Sequence, residues 1–275
     1  MSGDEAQLKG AVQALLGNKY SSVYSTGRGA MTTLLSGVKA LRSSADSRNE
    51  VIMPAYTCYS VASSAINAGL KIRLCDIDPT TLSFDQDKLQ QIDFTNVIAI
   101  VSANLYGLPN NLVELERLAD ERGVMLIDDA AQSLNSRLAG RYVGTFGSAG
   151  ILSLDKGKNA TSIQGGLIIT DHSDLSEAIV DIYKEVPDLG MKAGLVEFIK
   201  VLIYYLFLNP YAYKIPASIS FSGLGETRFE TDVEIKRYPS FLATLAESQL
   251  KRLDEITESR IAHGDFYETH ITEKM

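Results

Sequence analysis

Short apolar runs of strand length alternate with helical patterns along most of the chain. The runs are residues 51–53, 71–78, 97–101, 124–127, 149–154 and 167–170. The run at 97–101 is apolar throughout and rich in β-branched residues, which predicts a central strand. The alternation as a whole predicts an α/β fold, a mostly parallel sheet with helices on both faces.

Helices are predicted between the apolar runs, where apolar residues recur at steps of three and four. They are residues 5–16, 31–41, 85–92, 112–122 and 174–183. A longer connecting helix is predicted over 241–261. We therefore expect a large domain at 1–235, followed at 236–275 by the connecting helix and the start of a second domain.

The most apolar stretch is VEFIKVLIYYLFL, residues 196–208. It is interrupted by Lys200 and is shorter than the ~20 apolar residues that a bilayer crossing needs. The pattern favours a buried helix, or one that packs on a partner subunit, over a segment lying on a membrane surface.

Ionisable residues follow two of the predicted strands. Asp128 and Asp129 come after 124–127, and Lys156 and Lys158 come after 149–154. In open parallel sheets, ligands bind beyond the carboxyl ends of the strands. A carboxylate and a lysine there are the two groups that a pyridoxal phosphate site requires. The amine reacts with the cofactor aldehyde, and the acid keeps the pyridine nitrogen protonated.

The pattern leaves several choices open. It does not separate Lys158 from Lys156. Neighbouring side chains on a strand point in opposite directions, so Asp128 and Asp129 do not share one pocket, and one of them is expected to cap the next helix. Gln132 either bonds the cofactor ring or forms a capping box with Asp129.

A second group of residues suits a phosphate. Gly27, Arg28 and Gly29 form a turn that opens a predicted helix, and backbone N–H groups at a helix N-terminus favour anions. Taken alone, such a turn is more typical of an ordinary entry into a core helix. Ser153 has a hydroxyl near the end of the strand that leads to Lys158.

Tyr59 is a candidate for stacking on the cofactor ring, as are Tyr56 and Tyr106, although most tyrosines serve packing.

Composition narrows the functional classes. The net charge of −8 and the pI near 5.0 argue against nucleic-acid binding. Two cysteines do not make a disulfide framework, and the three histidines lack metal-ligand spacing, so no metal is expected. The N-terminus has no apolar core of signal-peptide type, and the cytoplasm is the expected location.

The motifs resemble those of the DegT/DnrJ/EryC1/StrS family of pyridoxal-phosphate-dependent sugar aminotransferases. The matching pieces are STGRGAM, VIMPAYTCYSVASSAINAG, CDIDPTTL, NLYGLP, LIDDAAQS, GRYVGTFGSAGILSL, GKN, GGLIIT and ATLAESQLKRLDEI. The resemblance implies the fold-type I aminotransferase architecture. It also implies an amino-acid donor, usually glutamate, a nucleotide-linked keto sugar as acceptor, and a homodimer with its site at the subunit interface.

The resemblance also assigns roles to residues. The pyridine-nitrogen acid falls on Asp129, and the family's glutamine falls on Gln132. The phosphate-binding serine falls on Ser153, and the cofactor-binding lysine falls on Lys158 rather than Lys156. The turn from Gly27 to Gly29 corresponds to the family's phosphate turn, which implies contacts from the Arg28 and Gly29 amides.

The sequence departs from the family pattern in three places. Cys58 stands where an aromatic residue commonly stacks on the ring, so stacking is expected either to shift to Tyr59 or to be lost. Ile235 stands where the family has an asparagine that reaches the partner's phosphate, although Arg237 fits. A C-terminal domain of roughly a hundred residues is expected to be largely missing.

The alternatives are a catalytically inactive regulatory relative and a sugar dehydratase of the same family. The dehydratases carry histidine in place of the lysine, so Lys158 counts against the second. A phosphate-loop nucleotide binder is disfavoured, because DKGKNA lacks the upstream glycine and the following Ser or Thr of that motif.

Overall fold

The computed structural model describes residues 3–207, 211, 212, 214 and 232–272. Seven strands form the main sheet, and helices cover it. The strands of that sheet are β1 (Tyr20–Tyr24), β2 (Glu50–Pro54), β3 (Lys71–Cys75), β4 (Val97–Ala103), β5 (Met125–Asp129), β8 (Ala149–Ser153) and β9 (Gly166–Thr170), and a separate short hairpin is made of β6 (Arg137–Leu138) and β7 (Arg141–Tyr142). The helices are α1 (Gly3–Leu16), α2 (Gly27–Ala40), α3 (Tyr59–Asn67), α4 (Gln86–Gln91), α5 (Leu112–Arg122), α6 (Ser173–Lys184), α7 (Met191–Phe207), α8 (Ser240–Lys251) and α9 (Leu253–Thr272), with a short 3-10 turn at Leu105–Gly107.

The strand order of the main sheet is β1-β9-β8-β5-β4-β2-β3. The pairs from β3 through β8 are parallel, which confirms the predicted sheet type. Strand β9 runs antiparallel to both β8 and β1. No helix lies between β8 and β9, so the chain turns back beside β8 instead of crossing over. The edge strand β1 had no apolar run to predict it, because its sequence is YSSVY.

Helices cover both faces of the sheet, as predicted. Residues from α1, α5 and α8 form the core on one face, and residues from α2, α3 and α6 form the core on the other. Strand β2 supplies both cores, since Ile52 joins the first while Val51 and Met53 join the second. Together the sheet and its two helical layers match the α/β architecture that the sequence predicts.

The connecting helix predicted over 241–261 is interrupted. Helix α8 ends at Lys251, where the N–H of Arg252 donates to the carbonyls of Gln249 and Leu250, and α9 begins at Leu253. The boundary at 235/236 stays a prediction. Helix α8 itself packs on α1 and contributes Leu242 and Ala246 to the large-domain core.

Helix α7 is not buried, so of the two predicted options for 196–208 the buried helix is wrong over the described residues 196–207, and packing on a partner subunit stays a prediction. Leu195, Leu202 and Leu206 are all exposed. Nothing in the described ranges is a helix both long and apolar enough to span a membrane.

Candidate active site

The carboxyl ends of neighbouring strands bring the predicted site residues to one edge of the sheet. Strands β5 and β8 are parallel, and they end at Asp129 and Ser153. Gly166 opens β9 and pairs with Ser153 on one side and with Tyr24, the last residue of β1, on the other. Because β1 leads within three residues to Gly27 and α2, this edge carries a carboxylate, a hydroxyl and a helix N-terminus.

Asp129 is the carboxylate on the side of Lys158. Its Oδ1 accepts the N–H of Ala131 at 3.0 Å. Burial raises the pKa of Asp129, and both the Ala131 N–H and the positive charge of Lys158 oppose that rise. The carboxylate is therefore held by one backbone donor and lies within electrostatic reach of Lys158.

Asp128 has a separate set of partners on the other side of the strand. Asn104 Nδ2 donates to its Oδ1 at 2.7 Å. The N–H groups of Gly144 and Phe146 donate to its Oδ2 at 2.6 and 3.2 Å. Burial raises the pKa of Asp128 to about 7 against these three donors. The two carboxylates thus do not share a pocket, as the strand alternation predicts.

Asn104 ties the two aspartates together, and the sequence reasoning missed it. Besides bonding Asp128, its Nδ2 donates to the main-chain carbonyl of Asp129 at 2.9 Å. Its Oδ1 accepts the N–H of Asn110 at 2.8 Å. An asparagine after an apolar strand is too common to be a signal, although this one opens the NLYGLP motif.

The two candidate lysines differ in their surroundings. Lys156 is exposed, and its ammonium lies 5.6 Å from the ring centroid of Tyr204 on α7. Gly157 then adopts a φ of +76°, a conformation that turns the chain and favours glycine. Lys158 after it is half-buried, and its charge acts on Asp129. The geometry therefore favours Lys158 as the amine of the site.

Two glycines and Ser153 lie close together beside the start of α2. A Cβ placed on Gly27 would lie 3.5 Å from Ser153 Oγ. A Cβ on Gly166 would lie 2.5 Å from the Cα of Gly27. The strand β9 therefore passes directly against the start of α2, and we call these three residues the glycine cradle: Gly27, Gly166 and Ser153.

The first turn of α2 is capped by Thr26. Its Oγ1 accepts the N–H of Gly29 at 3.0 Å, and its carbonyl accepts the N–H of Ala30 at 3.1 Å. The Gly29 amide predicted to contact phosphate therefore serves the helix cap. Gly27 and Arg28 occupy the first two helical positions, where N–H groups have no acceptor within the helix.

Gln132 points its carbonyl oxygen at a neighbouring loop. Its Oε1 accepts the N–H of Tyr106 at 3.1 Å. Tyr106 has a φ of 57°, and its hydroxyl lies 2.9 Å from the hydroxyl of Tyr56. Gln132 thus holds an unusual backbone conformation in place, and its role toward a cofactor ring stays a prediction.

Tyr59 begins α3, across from the start of α2. The Arg28 guanidinium lies 5.9 Å from the centroid of its ring. Cys58 is the exposed N-cap residue of α3. Ile235 lies beside Gly29 in the first turn of α2, since a Cβ on Gly29 would come within 3.8 Å of the Ile235 Cα. Stacking by Tyr59 stays a prediction.

A cleft of about 780 Å³ adjoins the cradle through Thr26 and Arg28. Helix α7 and residues 232–236 form its other walls. Among the described residues it is lined by Ser25, Thr26, Arg28, Gln164, Leu189, Ala193, Val196, Glu197, Asp232, Val233, Glu234 and Lys236. Its mixed charges and its width suit a polar molecule larger than the cofactor.

Comparison with known proteins identifies the family of the chain. The sequence profile of the DegT/DnrJ/EryC1/StrS aminotransferase family matches residues 2–194. The L-glutamine:2-deoxy-scyllo-inosose aminotransferase of Streptomyces kanamyceticus is 37% identical over 122 residues, which cover 44% of this chain and 29% of that protein. The GDP-4-keto-6-deoxy-D-mannose 3-dehydratase of Yersinia pseudotuberculosis is 29% identical over 167 residues, which cover 60% and 42%. This chain therefore matches less than half the length of either curated relative.

A solved structure shows the same fold. The GDP-4-keto-6-deoxy-D-mannose-3-dehydratase of E. coli, with bound hydrated PLP, superposes with a TM-score of 0.72 at 20% identity, covering 97% of this chain and 64% of that one. The family comprises pyridoxal-phosphate-dependent aminotransferases and dehydratases. On the family match and this fold, the chain belongs to the DegT/DnrJ/EryC1/StrS aminotransferase family.

Proposed function

We propose that this protein is a transaminase that holds pyridoxal 5'-phosphate between Lys158 and Asp129. In this proposal it moves an amino group from an amino acid, glutamate by family resemblance, to a nucleotide-linked keto sugar. The observation that carries the proposal is the half-buried Lys158, whose charge acts on Asp129 at the adjoining strand end. Such a pair is what the cofactor needs at its aldehyde and at its ring nitrogen.

The residues present fit the cofactor's phosphate. Gly27 carries no side chain at the start of α2, and the Ser153 hydroxyl lies beside it. The N-terminus of α2 adds backbone N–H groups and the positive end of the helix dipole. We assign the phosphate to Ser153 and to the amides of Gly27 and Arg28. Gly29 contributes only if its N–H is shared with Thr26.

When bound, pyridoxal phosphate supplies an aldehyde that captures amines and a ring that accepts electrons from the substrate carbon. Asp129 would keep a proton on the ring nitrogen. Lys158 Nζ would anchor the cofactor and, as a free amine, would take up the proton from the donor α-carbon. The cradle would hold the phosphate end still, so that this proton is removed on one face.

The bonds behind Asp129 support its role. Asn104 holds both the Asp128 carboxyl and the Asp129 main-chain carbonyl, so the end of β5 is fixed from the side away from Lys158. Fixed groups lose little free energy to reorganisation when charge develops near them. We infer that Asp128 and Asn104 position Asp129 without touching the cofactor.

A lysine at position 158 favours transamination over dehydration. The similarity to the Yersinia dehydratase covers more of this chain than the similarity to the Streptomyces aminotransferase does. By family resemblance, however, dehydratases carry histidine at the position of Lys158. The acceptor sugar, the homodimer and a cytoplasmic location are part of the same proposal. The cleft beside Thr26 and Arg28 is the place that we assign to the nucleotide sugar.

The test compares two lysines two residues apart. Purified wild-type protein, Lys158→Ala and Lys156→Ala are titrated with pyridoxal phosphate, and visible absorbance is recorded before and after borohydride reduction. We expect a reducible chromophore, covalently retained on the protein, in the wild type and in Lys156→Ala but not in Lys158→Ala. Retention by Lys158→Ala would remove the assignment.

Turnover then separates an enzyme from a regulatory relative. With glutamate, the loaded wild-type protein is expected to release 2-oxoglutarate, and Lys158→Ala is not. A protein that binds the cofactor through Lys158 but releases no 2-oxoglutarate from glutamate, and no keto acid from other amino acids, would contradict transamination.

A further inference from the structure

Tyr106 is a central residue of a turn that rarely accepts a tyrosine. The turn runs from Leu105 to Leu108, where the carbonyl of Leu105 accepts the N–H of Leu108 at 2.9 Å. Its central residues, Tyr106 and Gly107, have φ values of 57° and 86°. Positive φ at both positions is the pattern of a type I′ turn, in which asparagine followed by glycine is preferred. A tyrosine in this conformation is strained, because its Cβ crowds the backbone.

Packing of the Tyr106 ring does not account for this conformation, since the side chain is 66% exposed. Two hydrogen bonds hold the residue instead. The Tyr106 N–H donates to Gln132 Oε1 at 3.1 Å. The Tyr106 hydroxyl lies 2.9 Å from the hydroxyl of Tyr56, in the loop after β2. Backbone strain that is maintained by contacts from other parts of the chain is typical of functional sites.

The turn is bonded to the segment that contains Asp129 and the residues after it. Besides the bond from Tyr106 to Gln132, the carbonyl of Gly107 accepts the Ser136 hydroxyl at 3.0 Å. A Cβ on Gly107 would lie 3.7 Å from Ser136 Oγ and 3.9 Å from the main-chain oxygen of Gln132. Asn104, just before the turn, donates to the main-chain carbonyl of Asp129. The turn after β4 is therefore held against the chain around the proposed ring-nitrogen acid.

The bond from Tyr106 determines which way the Gln132 amide faces. A main-chain N–H can only donate, so it selects the oxygen end of the amide and leaves the nitrogen end for another partner. Within the described residues, Gln132 Nε2 is bonded to no acceptor. Gln132 is half-buried and follows Asp129 by three residues. The amide therefore keeps two N–H donors for a ligand of the proposed site.

We propose that Tyr106 and Tyr56 are positioning residues of the pyridoxal phosphate site, which act through Gln132 without touching the cofactor. Tyr56 holds Tyr106 in its left-handed conformation, Tyr106 holds the Gln132 oxygen, and Gln132 Nε2 donates to the oxygen on the cofactor ring. A glutamine at this position is implied by the family resemblance, whereas the part of the two tyrosines comes from the geometry of the turn. This role rests on the proposed function, since it requires the cofactor between Lys158 and Asp129.

Loss of the Gln132 donor should be visible in the absorbance of the bound cofactor. Without the donor, more negative charge stays on the ring oxygen, and this charge favours the protonated form of the chromophore. The midpoint pH of its colour change should therefore rise by roughly one unit. Loss of the hydrogen bond should also weaken cofactor binding by roughly tenfold.

The test compares variants of the full chain, each confirmed as folded by circular dichroism. Tyr106→Ala removes the hydroxyl and disfavours positive φ, whereas Tyr106→Asn removes the hydroxyl but keeps the turn, because Asn-Gly favours it. Tyr56→Phe removes only the hydroxyl bond, and its matched control is Tyr267→Phe, at a 61% exposed position on α9. Gln132→Leu removes the proposed donor itself.

Cofactor titration and the pH dependence of visible absorbance are measured for each protein. We expect Gln132→Leu and Tyr106→Ala to raise the midpoint and to bind the cofactor more weakly, and Tyr56→Phe to do so to a smaller extent. Tyr106→Asn and Tyr267→Phe should resemble the wild type. A folded Tyr106→Asn protein that is as impaired as Tyr106→Ala would overturn the proposal, because the ring and not the turn would then matter.

Hydrogen exchange of the Tyr106 amide provides a readout that needs no cofactor. In protein labelled with isotopic tyrosine, the Tyr106 signal is the one missing from the spectrum of Tyr106→Asn. We expect this amide to be protected from exchange in the wild type and to exchange faster in Gln132→Leu. Equal exchange in the two proteins would show that Tyr106 does not hold Gln132, and the proposal would fail.

The outcomes also separate this role from the proposed function. If the wild type forms its chromophore on Lys158 but Gln132→Leu has the same midpoint and affinity, the positioning role is excluded and the proposed function stands. A wild type that forms no chromophore contradicts the proposed function and the positioning role together.

Discussion

Gly27 lies against Ser153, so that a Cβ placed on Gly27 would stand 3.5 Å from the Ser153 hydroxyl oxygen. That separation is an ordinary van der Waals contact and demands no movement of the protein. The missing methyl group instead leaves space at the start of α2, next to a hydroxyl donor. Substitutions at the two glycines of the cradle should therefore have different effects. A change at Gly27 should affect phosphate binding, and a change at Gly166 should affect folding.

Gly27→Ala should bind pyridoxal phosphate more weakly and fold slightly better. The methyl group occupies phosphate space, and loss of a charge-assisted contact weakens affinity by roughly ten- to a hundredfold. Alanine in the first helical turn restricts the unfolded chain and raises the free energy of unfolding by about 0.4–1 kcal/mol. Cofactor titration and urea unfolding measure the two effects. Gly10→Ala, in an open position on α1, is the control that should change stability alone.

Gly166→Ala should instead destabilise the fold. Its Cβ would lie 2.5 Å from the Gly27 Cα and 2.7 Å from the Thr26 carbonyl oxygen, and neither backbone atom can move aside cheaply. We expect the free energy of unfolding to fall by about 1–3 kcal/mol or more, as for other overpacked positions. A Gly166→Ala protein as stable as the wild type would show that β9 and the start of α2 are not in close contact.

Asn104→Ala should destabilise the protein by about 1–3 kcal/mol, because it removes the donor to the buried Asp128 Oδ1 and one of the two donors to the Asp129 main-chain carbonyl. It should also weaken cofactor binding, since the end of β5 is no longer held. Urea unfolding and cofactor titration are the measurements. Asn96→Ala, an exposed asparagine, should change the free energy of unfolding by less than about 0.5 kcal/mol. Equal effects from the two variants would contradict the positioning role.

Asp128 should make the protein less stable as the pH rises from about 4 to 7. Its pKa is raised by burial from 3.8 to about 7, so the folded state binds more protons than the unfolded state between these values. The unfolding free energy contributed by this group is therefore full at low pH and lost as the pH approaches 7.

The measurement is the difference in unfolding free energy between the wild type and Asp128→Asn at several pH values. Asparagine offers a donor where Gly144 or Asn104 needs an acceptor, so the variant is expected to be less stable at pH 5. The difference should shrink toward pH 7.5 as the wild-type carboxyl ionises. A pH-independent difference would mean that Asp128 does not titrate in this range.

The periodicity of apolar residues was enough to predict the parallel α/β sheet, most helix positions and the sheet edge where the candidate residues Asp129 and Ser153 lie. This prediction succeeds because the spacing of apolar residues depends on whether a strand or helix is buried on one face or on both. The run at 97–101 lies in β4, and the acids after 124–127 lie at the end of β5. The same spacing does not distinguish Lys156 from Lys158, because it contains no information on the turn at Gly157. In the structure Lys156, before this turn, is exposed, and Lys158, after it, is half-buried.

Contacts between residues distant in sequence account for the rest. Asn104 meets Asp128 because β4 and β5 pair side by side, and Gly166 meets Gly27 because β9 turns back beside β8 and then pairs with β1. The apolar residues of α7 follow a helical pattern that suits burial, yet the core was already covered by other helices and left this face in solvent. Local spacing records that a side chain prefers an apolar neighbour, whereas the folded chain establishes which neighbour is within reach.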